Sequence, residues 1–301
     1  MELLNMHPLI VIVLTPIAAL LAGLFFMGVT RKFTARIHWR YGPPITQPLI
    51  DIMRMFSQRP VSHGTMFHGG VILSLAGALA VLLFIPFGNI PPLSGSGGLL
   101  VILYLLLVAP LGLALSSGEG ANPNASIGIS RKLMLSLGYE VPLLLILLTL
   151  MTRYGTLSIY DIVHAQQETQ WALVTVPLFI SGIAYILILP AVLGIRPFEV
   201  VQAAQEISSG PLVEYSGPYL GLVHLEHGLT LVINIALFVN LFMGGAQNIL
   251  LFFVKMIIIL LAGLSINAVF PRLRTDQAVS WLWRWPALLA LTGLITVMIW
   301  R

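Results

Sequence analysis

The 301-residue sequence contains no cysteine, so it has no disulfide, no thiolate metal site and no cysteine ligands for an iron–sulfur cluster. Charged residues are also scarce, at 9%, and no polar stretch is long enough to form a separate soluble domain. By contrast, 58% of the residues are hydrophobic and the mean hydropathy is +0.96, whereas soluble domains are about 45–50% apolar. The composition therefore predicts an integral membrane protein. The net charge of +4 does not indicate nucleic acid as a partner, because the excess falls in loops between apolar runs.

The apolar residues form eight runs, each roughly long enough to cross a ~30 Å hydrocarbon core as a helix. We therefore expect an all-α fold in which residues 1–301 form one polytopic membrane domain. The first run is too long and too internal for a cleaved signal peptide, so it counts as a span. The expected spans lie near residues 9–29, 70–87, 98–115, 133–151, 172–193, 220–243, 249–270 and 286–300.

The basic residues are unevenly divided between the two ends of these spans. Twelve of the 15 Lys and Arg residues lie in the connections that follow spans one, three, five and seven. Because cytoplasmic loops carry the excess of Lys and Arg, we expect these connections in the cytoplasm and both termini outside a cell (inner) membrane. The four expected cytoplasmic loops cover residues 30–69, 116–132, 194–219 and 271–285.

Within the first of these loops, residues 47–56 predict a short helix that Pro48 opens near its first turn. Apolar residues outnumber polar ones, and Asp51 and Arg54 stand three residues apart. This pattern is typical of an amphipathic helix that lies flat on the cytoplasmic face of the membrane. The alternative is an ordinary amphipathic surface helix with no further role.

The third expected cytoplasmic loop, residues 194–219, is the most polar organised segment of the chain. It carries Arg196, Glu199, Glu206 and Glu214 between two long apolar runs. Ionisable groups at the edge of a bilayer are costly unless they are used or paired. The segment is therefore the leading candidate for function. The alternative is that these carboxylates only satisfy helix N-termini or pair with neighbouring arginines.

Several ionisable residues also fall inside the expected spans. Glu140 lies about two turns from the cytoplasmic end of span four. His224, Glu226 and His227 open span six, where a protonatable group is favoured over a metal site. Lys255 lies in span seven, and its side chain either snorkels outward or serves in a buried relay.

The remaining cytoplasmic edges show weaker signals. The segment 116–132 is rich in Gly, Ser and Asn, which predicts irregular backbone before Ser126. The last expected loop carries a charged cluster and then an aromatic one: Arg272, Arg274 and Asp276, followed by Trp281, Trp283 and Trp285. Such tryptophans are typical of an interfacial belt that anchors a span.

Four stretches, in this order, resemble a known family: Arg40-Tyr41-Gly42-Pro43-Pro44 with residues 47–51; residues 125–131 with Gly138-Tyr139-Glu140; Pro197-Phe198-Glu199 through Glu206 to residues 210–217; and Pro271-Arg272 with Arg274 and residues 276–277. The family is the membrane subunit shared by respiratory complex I, where it is the quinone-site subunit of 1/H type, and by energy-converting membrane-bound nickel–iron hydrogenases. The resemblance spans nearly the whole chain.

Details of the third stretch separate the branches of this family. Gly210-Pro211-Leu212 before Glu214-Tyr215 resembles the hydrogenase branch, or its relatives that reduce sulfur compounds or oxidise formate or carbon monoxide. The sequence departs from the family pattern at Lys132, Gln202 and Ala204, where acidic residues are usual. These departures weaken the expectation that the loop handles protons as in its relatives.

The resemblance implies a coupling subunit that binds no cofactor of its own. Iron–sulfur clusters, and possibly a nickel–iron centre, would lie in hydrogenase-like small and large subunits docked on the cytoplasmic face. Antiporter-like membrane subunits would translocate protons or sodium. The residues implied in coupling and the proton path are Glu140, Glu199, Glu206, Glu214, His224, Glu226 and Lys255. The residues implied in bracing and docking the loop are Asp51, Arg196, Arg272, Arg274 and Asp276.

Two other functions remain open. In a quinone-reducing complex I subunit, the first loop and the central loop would frame a tunnel for the quinone. An independent secondary transporter is the third function, but the sequence lacks the inverted repeat and the paired broken helices of such proteins.

Overall fold

The computed structural model describes residues 8–61, 63–88, 98–120 and 122–300, with side chains from residue 12 onward. These residues form α-helices and short turns, and they contain no strand beyond one isolated bridge between Gly98 and Ser158. The helices are α1 (Pro8–Ile37), α2 (Gln47–Phe56), α3 (Thr65–Leu82), α4 (Leu99–Gly118), α5 (Pro123–Tyr154), α6 (Ile159–Glu168), α7 (Val176–Val192), α8 (Ala204–Ile207), α9 (Gly217–Phe242), α10 (Ile249–Val269) and α11 (Thr275–Ile299).

Seven of these helices are long and apolar enough to cross a membrane. An eighth apolar helix, α7, has 17 residues and follows a 3-10 turn at Ala172–Val174. The predicted all-α polytopic fold is therefore confirmed, and each predicted span corresponds to one helix. The amphipathic α2 lies where the sequence predicts it and buries Pro48 and Ile52.

Three predicted loops were wrong in extent. The loop 30–69 is shorter than expected, because α1 extends to Ile37 and α3 begins at Thr65. The segment 116–132 is mostly helical, since only residues 119–122 separate α4 from α5. Asn122 caps α5 by accepting a hydrogen bond from the Asn124 backbone N–H at 3.0 Å, and Pro123 occupies the first turn. The segment 271–285 is helical from Thr275, and α11 continues through Pro286 to Ile299.

The connections between helices lie at two opposite ends of the bundle. One end, here called the basic face, is formed by residues 38–61, 63–64, 119–120, 122, 193–216 and 270–274. Two contacts across it are the Val61 N–H to Ser216 Oγ, at 3.1 Å, and the Leu273 N–H to the Pro197 carbonyl, at 2.9 Å. At the opposite end, the Leu99 N–H donates to the Leu157 carbonyl at 2.8 Å.

Helix α9 is the most buried of the long helices and runs through the centre of the bundle. Its contact with α1 is very close, because Gly23 and Gly228 face one another. A Cβ atom added at Gly23 would lie 2.6 Å from the Gly228 carbonyl oxygen. Small residues allow such approaches between membrane helices. This contact fixes two of the helices that line the larger cavity described below.

Candidate functional site

The central loop, residues 193–216, is tied to the ends of α10 and α11. The Arg196 backbone N–H donates to Asn267 Oδ1 at 3.0 Å, and Arg196 Nε lies 3.1 Å from Glu199 Oε2. The Pro197 carbonyl accepts the hydrogen bond from Leu273 noted above. The first half of the loop is therefore held in place by backbone and side-chain contacts together.

Glu206, in the short helix α8, holds the second half of the loop. Its carboxylate accepts a hydrogen bond from Arg131 Nη1 of α5 at 2.7 Å and another from Arg272, which precedes α11. The Arg131 hydrogen bond, with the charges of both arginines, lowers the pKa of the Glu206 carboxyl below its ordinary value. One carboxylate thus joins three segments of the basic face.

Asp51 plays a similar part between α1 and α2. Its carboxylate accepts hydrogen bonds from Arg31 Nη1 and Gln47 Nε2, each at 2.8 Å. Burial raises the pKa of Asp51, but the hydrogen bonds from Arg31 and Gln47 outweigh burial, and the pKa lies below its ordinary value. The contact fixes the amphipathic helix against the end of α1.

Two adjoining cavities, of about 240 and about 120 Å³, lie beneath the central loop. The residues common to their walls are Lys132, Val201, Gln202, Glu226 and His227. Glu226 is 5% exposed, and Thr230 Oγ1 donates to its Oε1 at 3.0 Å. A buried acid therefore stands directly behind the loop, within a space that can hold water.

Polar groups continue from Glu226 toward the middle of the bundle. Asn234 Nδ2 donates to the Thr230 carbonyl at 2.8 Å, and the Tyr185 hydroxyl donates to the Asn234 carbonyl at 3.0 Å. Tyr139 and Asn234 also line the smaller cavity. The arrangement places a buried carboxyl group at Glu226 and further hydrogen-bonding groups deeper along α9.

Two residues of the predicted path lie apart from this cluster. Glu140 lines neither cavity, and its Oε1 is buried without a hydrogen-bond partner among the described residues. Lys255 is 7% exposed and lies toward the opposite end of the bundle. Its Nζ donates to the Met243 and Gly245 carbonyls at 2.8 and 2.6 Å and lies 4.5 Å from the centre of the Trp171 ring.

The other predicted residues lie on the basic face or near the starts of α9 and α11. The Glu214 carboxyl is beside Gly120, where an added Cβ would lie 2.8 Å from Glu214 Cδ. His224 lines the larger cavity, and its Nδ1 lies 2.9 Å from the Leu220 carbonyl oxygen. Arg274 pairs with Asp276 at 3.5 Å, and both side chains are largely exposed. The ion pair therefore lies within the start of α11 and not between α11 and the central loop.

Three residues of the site were not identified as such from the sequence. Arg131 was noted only as part of a motif, although it holds Glu206. Lys132 and Gln202 stand where acids are usual in the family, and the structure shows that both line the same two cavities as Glu226. The sequence does not show that the two residues share a cavity, because they are 70 positions apart in the chain. Among the described residues, no group of three or more His, Cys, Asp or Glu side chains could hold a metal ion.

Comparisons with known proteins agree with the resemblance found in the sequence. The family model described as NADH dehydrogenase matches residues 9–298. Hydrogenase-4 component C of Escherichia coli is 33% identical over 80% of this chain and 75% of its own length. Formate hydrogenlyase subunit 4 of Escherichia coli is 31% identical over 90% of this chain and 92% of its own.

A solved structure gives the same result in three dimensions. A chain of the membrane-bound sulfane sulfur reductase, an archaeal respiratory membrane complex, matches with a TM-score of 0.94 and 36% identity. The match covers 97% of this chain and 100% of the other. The chain therefore belongs to the NADH dehydrogenase subunit 1/H family, a membrane subunit of hydrogenase-type and complex I-type oxidoreductase complexes.

Proposed function

We propose that this chain is the membrane anchor and coupling subunit of an energy-converting, hydrogenase-like complex. Its basic face lies in the cytoplasm and binds a hydrogenase-like small subunit whose iron–sulfur cluster is nearest the membrane. Antiporter-like subunits beside it translocate protons or sodium. The chain itself supplies titratable groups that respond to the arrival of an electron.

The observation that carries this proposal is the position of Glu226 behind the central loop. Glu206, Arg131 and Arg272 fix the loop at the surface, while Glu226 stands buried in the cavities that the loop closes. At an effective dielectric constant of 20, a unit charge about 10 Å away changes the energy of a carboxylate by roughly 1.7 kcal/mol. Such a change corresponds to about one pKa unit, or roughly a tenfold change in the ratio of protonated to ionised carboxyl group.

Each residue then has a distinct part. Glu206 and Glu199, held by arginines, keep the loop in register beneath the docked partner. Glu214 and Glu226 respond to the new charge, and the polar groups along α9 carry the response inward. Glu140 and Lys255 do not line the cavities. They carry the response sideways, from the cavities toward the neighbouring antiporter-like subunits.

The proposal is tested by ion uptake per electron in vesicles that contain the whole complex. We expect Glu226→Gln and Glu206→Gln to retain electron transfer while ion uptake per electron falls at least severalfold. Glu168→Gln is the matched control, because Glu168 is an exposed acid at the opposite end of the bundle and pairs with His164 at 3.2 Å. If all three variants retain the native ratio, the loop is a docking surface and not a coupling device.

A sulfur-reducing complex is the second candidate, because the sulfane sulfur reductase chain is 36% identical with a TM-score of 0.94. The purified complex separates the two by its acceptor. Hydrogen evolution from protons supports the hydrogenase assignment, and reduction of polysulfide supports the second. Reduction of an added quinone, abolished by quinone-site inhibitors, would instead assign the chain to a complex I-type enzyme.

A further inference from the structure

An open groove of about 1000 Å³ runs between α5 and α11 at the edge of the basic face. Its apolar wall contains Met134 and Leu137 of α5 and Val279 and Trp283 of α11. Met134, Leu137 and Trp283 are 55%, 60% and 54% exposed. The groove therefore presents a concave apolar surface at the side of the helix bundle, where lipid tails would lie.

The upper rim of the same groove is basic. Arg131, Met134 and Leu137 follow one another at three-residue intervals, so they form one stripe of α5 that runs from the charged rim into the apolar wall. Arg272 and Arg274 complete the rim from the segment before α11. The rim also holds two carboxylates, Glu206 and Asp276, so the five charged groups leave one net positive charge.

We propose that this groove binds one phospholipid with an anionic headgroup. The headgroup phosphate lies at the arginine rim and one acyl chain lies along Met134, Leu137 and Trp283. Guanidinium groups match the geometry of phosphate oxygens, and basic clefts between membrane helices bind lipid headgroups. Arg131 and Arg272 both bind Glu206, whereas Arg274 is 80% exposed and pairs with Asp276 at 3.5 Å. Of the three rim arginines, Arg274 is therefore the one most able to turn to the phosphate.

An amphiphile fits this groove better than a protein segment does. The change from charge to apolar surface occurs along α5 within six residues, or about 9 Å of helix. That distance matches the change from headgroup to acyl chain at the edge of a bilayer. Lipid binding at this groove requires only the groove and the membrane, so it does not depend on the proposed coupling function.

Native mass spectrometry of the purified complex tests this proposal. We expect the native complex in mixed micelles with phosphatidylglycerol to retain one lipid that is lost in the combined variant Arg274→Gln with Trp283→Ala. The matched control is Arg284→Gln with Trp285→Ala, since both residues are exposed on α11 but neither lines the groove. For Arg274→Gln alone, loss of one surface arginine predicts roughly fivefold weaker retention.

Equal lipid retention in the groove variant and its control would overturn the proposal. A structure of the complex with a partner's side chains filling the groove would also overturn it. Retention of phosphatidylcholine as strongly as phosphatidylglycerol would show that the arginine rim does not select an anionic lipid, contrary to the proposal. Thermal melting of both variants separates lipid loss from misfolding, because the proposal requires lipid loss in a variant that melts like the control.

Discussion

Arg131 Nη1 of α5 lies 2.7 Å from Glu206 Oε2 of the central loop. The two residues are 75 positions apart, so this contact brings the start of a long helix against the most polar loop of the chain. Arg272 binds the other oxygen of the same carboxylate. Glu206 is therefore the point at which α5, the central loop and the segment before α11 are joined.

Removal of both arginines should free the second half of the loop. We expect hydrogen exchange of residues 203–213 to increase severalfold in Arg131→Gln with Arg272→Gln, because Glu206 loses both of its hydrogen-bond donors. Exchange in α9 should stay unchanged. Arg153→Gln, which removes an exposed arginine at the opposite end of α5, is the control. Unchanged exchange in the double variant would mean that packing alone holds the loop.

The contact of Asp51 with Arg31 and Gln47 should make the docking of α2 dependent on pH. The folded-state pKa of Asp51 lies below its ordinary 3.8. The stabilising contribution is therefore complete above pH 3.8 and is lost as the pH falls through the lower, folded-state value.

The measurement is hydrogen exchange of residues 47–56 in the native protein relative to Asp51→Asn. We expect the native protein to exchange more slowly at neutral pH, by an amount that corresponds to about 1 kcal/mol for a partly exposed ion pair. The difference should vanish in acid below the folded-state pKa. A difference that stays constant with pH would show that the carboxylate charge is not the cause.

Close contact of α1 and α9 makes Gly23 intolerant of a side chain. An added Cβ would lie 2.6 Å from the Gly228 carbonyl, so Gly23→Ala must move one helix. We expect a loss of about 1–3 kcal/mol in the free energy of unfolding. Gly69→Ala is the control, since an added Cβ meets nothing within 4 Å and alanine favours helix. Comparable melting temperatures for the two variants would contradict the close packing.

Lys255 should stabilise the end of α9. Its ammonium donates to two carbonyls, of Met243 and Gly245, and lies over the Trp171 ring. We expect Lys255→Met to cost about 2 kcal/mol, because both carbonyls lose a charged donor. Thermal unfolding measures this, with Arg153→Met as a control that removes an exposed cation. A native melting temperature for Lys255→Met would show that other groups satisfy these carbonyls.

The number and type of helices could be predicted because each membrane span needs a long apolar run, which is visible without tertiary information. Helix ends were less predictable where a helix extends beyond its apolar run. The first turns of α5 and α11 are polar and were assigned to loops. The sequence contains a start signal for each helix. For α5 the signal is Asn122 before Pro123. For α11 it is Gln277, three residues after Arg274, and the Arg274 backbone N–H donates to Gln277 Oε1 at 3.3 Å.

The candidate site was only partly predictable, because its contacts join distant parts of the chain. Polarity alone identified the central loop and Glu226. The partners of Glu206 were not predictable, since hydrogen bonding between α5 and the loop depends on how the helices pack. For the same reason, the sequence groups Glu140 and Lys255 with Glu226, whereas in the structure neither residue lines the two cavities. Their coupling roles stay predictions.

The structure of the purified complex with its partner subunits tests the central claim most directly. We expect a subunit that carries an iron–sulfur cluster to contact residues 196–217, with its cluster facing the loop that covers Glu226. A complex whose iron–sulfur subunit binds the opposite face, or leaves residues 196–217 uncovered, would contradict the proposed coupling role.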